Sequence, residues 1–430
     1  MVIEVYSNFE DKNYNYNYFL DEENTNLLAI LELSNWKELS ELYALNSRNQ
    51  FDFLLDFLDE FHIDKIDELK GAYAFVYFKN NKIYFFRDKV GIIPLCYEFK
   101  TIGSKISLNF SIKKSFISET AKELNPKEYL YFDIDFNKID VFKRNDFFKL
   151  KKSFISNSFL DVKGRVKFLF ENSIKKQIIC GCKKKKKTIA LLFSGGTDST
   201  LIALNLRKLG IDFVCYTVNI KYGNIVIGED LYYAKKFCDK YGIKLRIVEI
   251  DNEDLINNYT KETMKIIESK DYTKVSVALV FYLAFKKIKE DNIFKVFSGI
   301  GSEEIFADYK RELEVENINE ICLEGLGTLW KRDLYRDFSL AKNFNLKLRF
   351  PFLDNDFIDY GISINPEFKI NKETKINKII LREILKDYDI DLEFINRKKK
   401  AAQYGSRTDR VFEKLANKKK LKKQEYLNLL

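Results

Sequence analysis

The sequence predicts a strand-rich α+β part followed by an α/β part built on a parallel sheet. Before residue 150, short apolar and aromatic strands alternate with turns. Beyond residue 160, continuous apolar strands alternate with helical patterns, which is typical of a parallel sheet covered by helices. At roughly 100–200 residues per domain, a chain of 430 residues holds two or three domains. We expect one domain at residues 1–150 and a second at residues 160–430.

The clearest signal in the first part is a β-hairpin. Ala72–Phe78 is apolar and aromatic, Lys79–Lys82 is a polar turn, and Ile83–Phe86 returns as a second strand. Tyr129–Ile134 has the same character, and Leu54–Phe61 predicts a short helix before the hairpin. Strands therefore dominate this part of the chain.

The second part shows a regular alternation of strands and helices. The predicted elements are a helix at Val162–Ile179, a strand at Thr188–Phe193, a helix at Asp198–Leu209, a strand at Phe213–Ile220, a helix at Asp230–Tyr241, a strand at Leu245–Ile250, further helices through Leu283, and a strand at Phe294–Phe297. Beyond Gly301 the pattern is mostly helical. The lysine-rich stretch Lys418–Lys423 predicts a frayed, solvated terminus.

Composition excludes several classes of function. A single histidine, His62, rules out metal sites with two histidines, and a net charge of +9 carried by residues of both signs does not indicate a dedicated nucleic-acid binder. The N-terminal residues lack the apolar core of a secretory signal. The longest apolar run, Val275–Phe285, is too short to cross a bilayer and predicts a buried helix. The six cysteines lie mostly in apolar runs, which is typical of reduced core thiols; the Cys180-x-Cys182 pair is only a weak zinc signal. We expect a cytoplasmic protein without a membrane partner.

A loop rich in glycine and hydroxyl groups follows the first strand of the predicted parallel sheet. It reads Ser194-Gly195-Gly196-Thr197-Asp198-Ser199 and opens the next helix. Open α/β sheets bind ligands at the carboxyl ends of their strands, and a helix N-terminus with exposed N–H groups suits a phosphate. Asp198 would repel a bare phosphate but suits a bridging Mg²⁺. The loop matches neither the Walker nor the dinucleotide pattern, and a capped Ser/Gly turn without a ligand is the alternative.

A second loop of this kind follows a later strand. It reads Ser298-Gly299-Ile300-Gly301-Ser302-Glu303-Glu304 and also opens a helix. Two such loops, each with a carboxylate just inside a helix, suit a Mg²⁺–polyphosphate held between them. The alternative is that Glu303 and Glu304 are simply acidic residues in a favourable position at a helix N-terminus.

Together the two loops, SGGTDS and SGIGSEEIFADY, resemble those of the asparagine synthetase family, whose ligase domain belongs to the ATP-pyrophosphatase loop group. Arg349–Asp354 resembles the R-x-P-F-L-D signature of this family, Lys378–Glu383 its K-x-x-L-R-E/K helix, and Arg397–Gly405 its R-x-K…G segment. Gly71–Phe75 and Arg87–Leu95 resemble G-x-F-A-F and R-D-x-x-G-x-x-P-L of its class II glutamine amidotransferase-like domain. The resemblance covers most of the chain.

The resemblance implies an Ntn-hydrolase-like first domain, rich in antiparallel strands, and an adenine-nucleotide α-hydrolase-like second domain with an ATP-pyrophosphatase loop. It implies a ligase that adenylates a carboxylate with ATP, releases pyrophosphate, and forms an amide and AMP when an amine attacks. Motif positions implied to bind the nucleotide are Leu192, Ser194, Gly195, Gly196, Asp198, Ser199, Val218, Ser298 and Gly299. Asp198 and Glu303 would hold Mg²⁺ and, with Lys399, form the catalytic set. The lysine register is open, because Lys398 and Lys400 flank it.

The first domain departs from the family pattern. Glutamine-using members have cysteine after the initiator methionine, whereas this sequence has Val2 and no cysteine before Cys96. We expect that this domain does not hydrolyse glutamine, and that its removal does not directly affect ammonia-dependent turnover. A segment missing from the N-terminus is the alternative.

The substrates stay open at this stage. Aspartate and ammonia are the default, but Ile300 and the Ala307-Asp308-Tyr309 segment, where the family has G-G-Y, put aspartate in doubt. A β-lactam synthetase-like intramolecular amide former is one alternative. An RNA-modifying adenylase is another, suggested by the basic balance and by Lys183–Lys187, although that run also predicts a solvated loop. A non-catalytic protein that kept the fold is a third. The expected partners are a small carboxylate and ammonia or another amine, and a homodimer or a separate ammonia donor is left open.

Overall fold

The computed structural model describes residues 3–8, 27–102, 105–136, 138–145, 147–151, 158–179, 188–225, 227–308 and 315–430. The chain divides into two compact units. The first contains Met1–Lys149 together with Leu326–Tyr335, and the second contains Leu150–Gly325 together with Arg336–Leu430. A short segment from the later part of the sequence therefore belongs to the first unit.

The first unit is built on two β-sheets. Its described strands are β1 (Ile3–Asn8), β2 (Leu27–Leu33), β3 (Gly71–Lys79), β4 (Lys82–Arg87), β5 (Cys96–Ile102), β6 (Lys105–Ser111), β7 (Lys122–Glu123), β8 (Glu128–Asp133) and β9 (Lys138–Lys143). One sheet has the order β2-β3-β4-β8-β9 and is antiparallel throughout. The other has the order β1-β6-β5-β7, and β1 pairs with β6 in parallel. The unit is strand-rich as predicted, with that one parallel pair as the difference.

The predicted hairpin and helix are both present. β3 and β4 pair antiparallel, and Asn80 and Asn81 at the turn have φ of 52° and 57°, a conformation that asparagine tolerates well. Two helices, α1 (Trp36–Leu42) and α2 (Gln50–Phe61), lie on this unit. α2 begins earlier than predicted because the Asn49 side chain caps it, accepting from the N–H groups of Phe51 and Asp52.

The second unit alternates strands and helices. In chain order it contains α3 (Phe159–Ile179), β10 (Ile189–Leu192), α4 (Thr197–Lys208), β11 (Phe213–Ile220), α5 (Glu229–Tyr241), β12 (Leu245–Ile250), α6 (Glu253–Ile267), α7 (Tyr272–Glu290), β13 (Lys295–Phe297), α8 (Ser302–Phe306), α9 (Ile318–Leu326, whose last residue falls in the first unit), α10 (Tyr335–Asn343, whose first residue does too), β14 (Lys347–Arg349), α11 (Asn355–Gly361), β15 (Ile370–Asn371), β16 (Ile376–Asn377), α12 (Ile379–Leu385), α13 (Leu392–Ile395), α14 (Ala402–Gly405), α15 (Thr408–Lys418) and α16 (Lys423–Leu429).

A five-stranded parallel sheet organises this unit. Its order is β12-β11-β10-β13-β14, and every pairing in it is parallel, as predicted. β10 and β13 are neighbours, with Leu191 opposite Phe297. Because their carboxyl ends lie at the same edge, the two glycine-rich loops that follow these strands meet there.

Two expectations about exposed and apolar segments have different outcomes. Of the frayed, solvated terminus predicted for Lys418–Lys423, the solvent exposure is confirmed for most of these lysines but the fraying is wrong. The segment joins α15 to α16, and Tyr426 and Leu427 of α16 are buried in the core around α7. The prediction did not take into account that Tyr426 and Leu427 could pack into the core. Val275–Phe285 lies within α7 as a largely buried helix, as expected.

The remaining expectations concern cysteines, lysines and membranes. Cys96, Cys215, Cys238 and Cys322 are buried, as predicted for core cysteines, whereas Cys180, Cys182 and Lys183–Lys187 lie outside the described residues. In the described part of the chain, no helix combines the length and apolar character needed to span a bilayer.

Candidate functional site

The loop between β10 and α4 presents backbone N–H groups at the start of a helix. Gly195 has φ of 75°, and a Cβ at this position would lie 2.9 Å from the Tyr233 Cβ, so only glycine fits without strain. Gly196 is the N-cap residue of α4, and its N–H donates to Ser194 Oγ at 3.2 Å. Ser199 Oγ lies 3.4 Å from Ser194 Oγ and donates to the Gly196 carbonyl. Hydroxyls and helix N–H groups thus line a concave turn suited to an oxyanion.

A buried ion pair between Arg397 and Asp230 holds this loop in place. Arg397, 5% exposed, donates to the Ser194 carbonyl and to the Asp230 carboxylate near the start of α5. Its guanidinium also lies over the Tyr233 ring, 4.5 Å from the centroid. Burial raises the pKa of Asp230 to about 6, although Arg397 opposes the rise. One arginine therefore ties the loop after β10 to a neighbouring helix.

The second loop packs directly against the first. A Cβ on Gly299 would lie 2.9 Å from the Asp198 Cβ, so glycine permits the two loops to approach this closely. The N–H of Ser298 donates to the Arg349 carbonyl at 2.9 Å, which extends the parallel pairing of β13 with β14 into the loop. The loop then turns into α8, where Glu303 occupies the first turn.

Three carboxylates meet where the loops converge. Asp198, Glu303 and Asp308 each place one oxygen within 4.8 Å of the others. Oxygen ligands at this spacing match the donor set of a hard divalent cation such as Mg²⁺. Asp198 and Glu303 therefore fit the metal that the sequence motifs imply, and Asp308 is a third carboxylate beside them that the sequence pattern did not single out.

A buried lysine stands beside these carboxylates. Lys378 Nζ lies 2.7 and 2.9 Å from the two Asp198 oxygens and 2.8 Å from an Asp308 oxygen. Burial lowers the pKa of Lys378, but the surrounding carboxylates outweigh burial and leave its pKa above the ordinary value. Burial raises the pKa of Asp198, while Lys378 opposes the rise. Lys378 is therefore a charged member of the cluster.

The lysine run near residue 399 approaches the same cluster. Lys399 Nζ makes an ion pair with Glu303, and both side chains are partly exposed. Lys400 Nζ lies 2.5 Å from Glu229 at the start of α5 instead. Of these two lysines, Lys399 is the one that reaches the carboxylates.

The residues implied for the adenosine side lie at the adjacent strand ends. Leu192 ends β10, and Val218 lies on β11 two residues beyond Tyr216, the register partner of Leu192. Both pack at the edge of the core around α7. Their roles in nucleotide binding stay predictions.

Sequence reasoning missed four polar residues of this site. Asp308 and Lys378 were visible only as parts of the ADY and K-x-x-L-R-E segments, and Arg397 only as the start of R-x-K. Asp230 carried no sequence signal beyond its position near a helix start. The 180-residue separation of Lys378 from Asp198 explains why local patterns could not pair them.

Comparison with known proteins gives a consistent family. The family model named Asparagine synthase matches residues 166–320 and 312–429. The chain is 26% identical over 469 residues to the "Putative asparagine synthetase [glutamine-hydrolyzing] 1" of Methanocaldococcus jannaschii, covering 95% of this chain and 83% of that protein. It is 28% identical over 388 residues to the "Asparagine synthetase [glutamine-hydrolyzing]" of Rattus norvegicus, covering 84% and 68%. A solved structure of NMN synthetase from Francisella tularensis is 12% identical with a TM-score of 0.31, covering 64% of this chain and 86% of that one.

Proposed function

We propose a specific reaction for this chain from the premise that it belongs to the asparagine synthase family and is an ATP-using carbon–nitrogen ligase. In the proposed first step, a carboxylate oxygen of the acid substrate attacks the α-phosphorus of ATP, and the bond to pyrophosphate breaks. In the second step, ammonia attacks the acyl carbon of the adenylate, loses a proton, and AMP leaves. The products are an amide, AMP and pyrophosphate.

The first proposed role belongs to the loop after β10. Ser194, Gly195, Gly196 and Ser199 would bind the pyrophosphate portion of ATP through N–H and hydroxyl donors, as the helix N-terminus of α4 favours anions. Ser298 and Gly299 would close the site from the second loop, and Leu192 and Val218 would contact the adenosine. The close approach of Gly299 to Asp198 supports this arrangement.

The second proposed role belongs to the acidic residues and Lys399. Asp198 and Glu303 would hold Mg²⁺, which when bound supplies charge neutralisation for the phosphate oxygens. Lys399, already in contact with Glu303, would face the α-phosphate and stabilise the charge that develops on it. These assignments account for catalysis without histidine, which leaves His62 in a structural role as the C-cap residue of α2.

The amine is proposed to arrive as ammonia rather than from glutamine hydrolysed by this chain. Cys96, the first cysteine of the sequence, is fully buried in β5. It therefore offers no accessible thiolate for nucleophilic attack on an amide. We propose the first unit as a class II amidotransferase-like domain of Ntn-hydrolase type that has lost glutaminase activity, and the second, around residues 160–430, as the ligase domain. A homodimer or a separate ammonia donor would be its partner in the cytoplasm.

Aspartate is the proposed acid, giving asparagine. The relatives' names carry this proposal. An intramolecular amide former is the second candidate, because Ile300 and the Ala307-Asp308-Tyr309 segment depart from the family pattern and because Val2 stands where glutamine-using members have cysteine, as in β-lactam synthetase-like relatives.

The single observation that carries the proposal is the three-carboxylate cluster between two glycine-rich loops at one sheet edge. The experiment measures pyrophosphate release with Mg-ATP and ammonia across a panel of acids that includes aspartate. Asp198→Ala is expected to abolish release, whereas Asp212→Ala, at an exposed carboxylate at the opposite end of the strands, is expected to leave it unchanged. Absence of release with every acid, from protein shown to bind ATP, would refute the proposal.

A further inference from the structure

Asp308 stands at the inner side of the carboxylate cluster. Its side chain is 4% exposed, and its Oδ2 lies 2.8 Å from Lys378 Nζ. Lys378 is itself buried, with 2% of its side chain exposed. The pair is therefore shielded from water, and each charge depends on the other for compensation.

The three hydrogens of the Lys378 ammonium group are directed at Asp198 and Ser302. Lys378 Nζ donates to the two Asp198 oxygens at 2.9 and 2.7 Å and to Ser302 Oγ at 2.9 Å. Asp308 Oδ2 lies 2.8 Å from the same nitrogen as an ion-pair partner. Lys378 thus bridges the carboxylate expected to bind a cation and a second carboxylate behind it.

This bridge creates a competition for Asp198. Both Asp198 oxygens already accept from Lys378. A divalent cation at the cluster competes with the ammonium group for the charge of Asp198. If Asp198 turns towards the cation, the buried Lys378 lies beside a like charge with fewer partners. Asp308 supplies a carboxylate that Lys378 can keep throughout this exchange.

We propose that Asp308 is a positioning residue that retains Lys378 while Asp198 exchanges the lysine for a divalent cation. The proposal deepens the function proposed above, because it assumes a cation site at the cluster. It assigns to Asp308 a role that acts on the cation only through Lys378.

The first test measures binding of Mn²⁺ alone to the full chain, without nucleotide, by the electron paramagnetic resonance signal of free Mn²⁺. Asp308→Asn is expected to weaken binding about tenfold, the scale of one charge pair at a partly buried site, and Asp308→Glu to restore most of it. Unchanged binding in Asp308→Asn, or no saturable binding at millimolar Mn²⁺ to the unsubstituted chain, would overturn the proposal. Because this test measures Mn²⁺ binding and not turnover, its result does not depend on whether the chain releases pyrophosphate.

A double-mutant cycle separates retention of Lys378 from direct contact with the cation. With Lys378→Met present, Asp308→Asn is expected to change Mn²⁺ affinity less than about twofold, because no lysine remains to be retained. A persistent tenfold loss would show that Asp308 acts on the cation itself and would refute the proposal.

A chemical readout covers the case in which Lys378→Met does not fold. Reductive methylation of lysines with Mn²⁺ present, quantified by mass spectrometry, reports how accessible Lys378 becomes. Labelling of Lys378 is expected to rise about fivefold in Asp308→Asn, while labelling of Lys244, already 72% exposed, stays constant as the reference. Equal protection of Lys378 in both proteins contradicts the proposal.

Discussion

Arg397 shows how one side chain can hold a loop in place. It joins the Ser194 carbonyl of the loop after β10 to Asp230 of α5, and the Tyr233 ring covers its guanidinium. A planar group with several fixed donors can make both contacts at once, whereas an ammonium cannot reproduce the fork. The position of the loop therefore depends on an arginine at this site and not merely on a positive charge.

Arg397→Lys is expected to lower kcat/KM for pyrophosphate release by about tenfold to a hundredfold, the scale of one or two charged hydrogen bonds. The loss arises because lysine leaves either Ser194 or Asp230 without its buried donor. Steady-state kinetics with varied ATP measure it, and Arg246→Lys, at an exposed arginine, serves as the control. Equal kcat/KM values in Arg397→Lys and Arg246→Lys would show that Arg397 does not hold the loop in position.

The raised pKa of Asp230 predicts an acidic limit to activity. Because its pKa lies at about 6, Asp230 is ionised above this pH and neutral below it, and only the ionised form is a full partner for Arg397. Pyrophosphate release is expected to fall as pH drops through about 6. Asp230→Asn is expected to release pyrophosphate at the low acidic rate at every pH and to lack this transition. If the transition persists in Asp230→Asn, another group causes it.

For single residues, the sequence predicts members of a local motif better than it predicts partners that lie far apart in the chain. Ser194, Gly195, Gly196 and Asp198 could be singled out because a strand end and a helix start frame them within six residues. The pairing of Lys378 with Asp198 could not, since no local periodicity encodes a partner 180 residues away.

Among the elements, α11 explains one motif residue in structural terms. Asp354 ends the R-x-P-F-L-D segment and caps α11, accepting from the N–H groups of Asp356 and Phe357. Lys176 of α3 lies 3.1 Å from the Asp354 carboxylate. The aspartate of this motif therefore secures a helix start and a contact between helices.

Asp354→Ala is expected to lower the free energy of unfolding by about 1 kcal/mol through loss of the cap, with a smaller loss from the partly exposed ion pair with Lys176. Urea denaturation measures it. Asp354→Asn keeps a capping oxygen and is expected to lose less. Destabilisation of equal size in both variants would show that charge, not capping, dominates.

Elements with continuous apolar runs were predicted best. β11 and β12 have the predicted bounds, because each run is closed by polar residues or glycine on both sides. α2 and α16 were harder, since a side-chain cap sets the start of the first and burial of two residues holds the second. Caps and tertiary burial are not properties of a local window.

For the whole molecule, the segment Leu326–Tyr335 is the main departure from a simple two-domain order. Within the first unit, the Trp330 ring lies 5.6 Å from the Arg87 guanidinium, and Tyr335 Oη accepts from the Lys114 N–H at 3.0 Å. Leu329 and Leu334 are 1% exposed. A boundary near residue 150 therefore does not separate the units completely.

A chain that begins at Leu150 is expected to aggregate or to unfold at lower temperature, because Leu329 and Leu334 lose the unit that buries them. Size-exclusion chromatography and thermal scans measure the effect, and co-expression of residues 1–149 is expected to reverse it. A truncated chain that is monomeric and unfolds at the same temperature as the full chain would contradict the expectation.

The same segment sets an order of events during synthesis. The first unit cannot acquire all of its parts until Tyr335 has left the ribosome, although its other residues end at Lys149. At about 5–20 residues per second, the roughly 190 residues in between take about 10–40 s to translate. During that interval the surface of the first unit that Trp330 later contacts stays exposed. A molecular chaperone that binds exposed apolar surface would bind the chain at this stage.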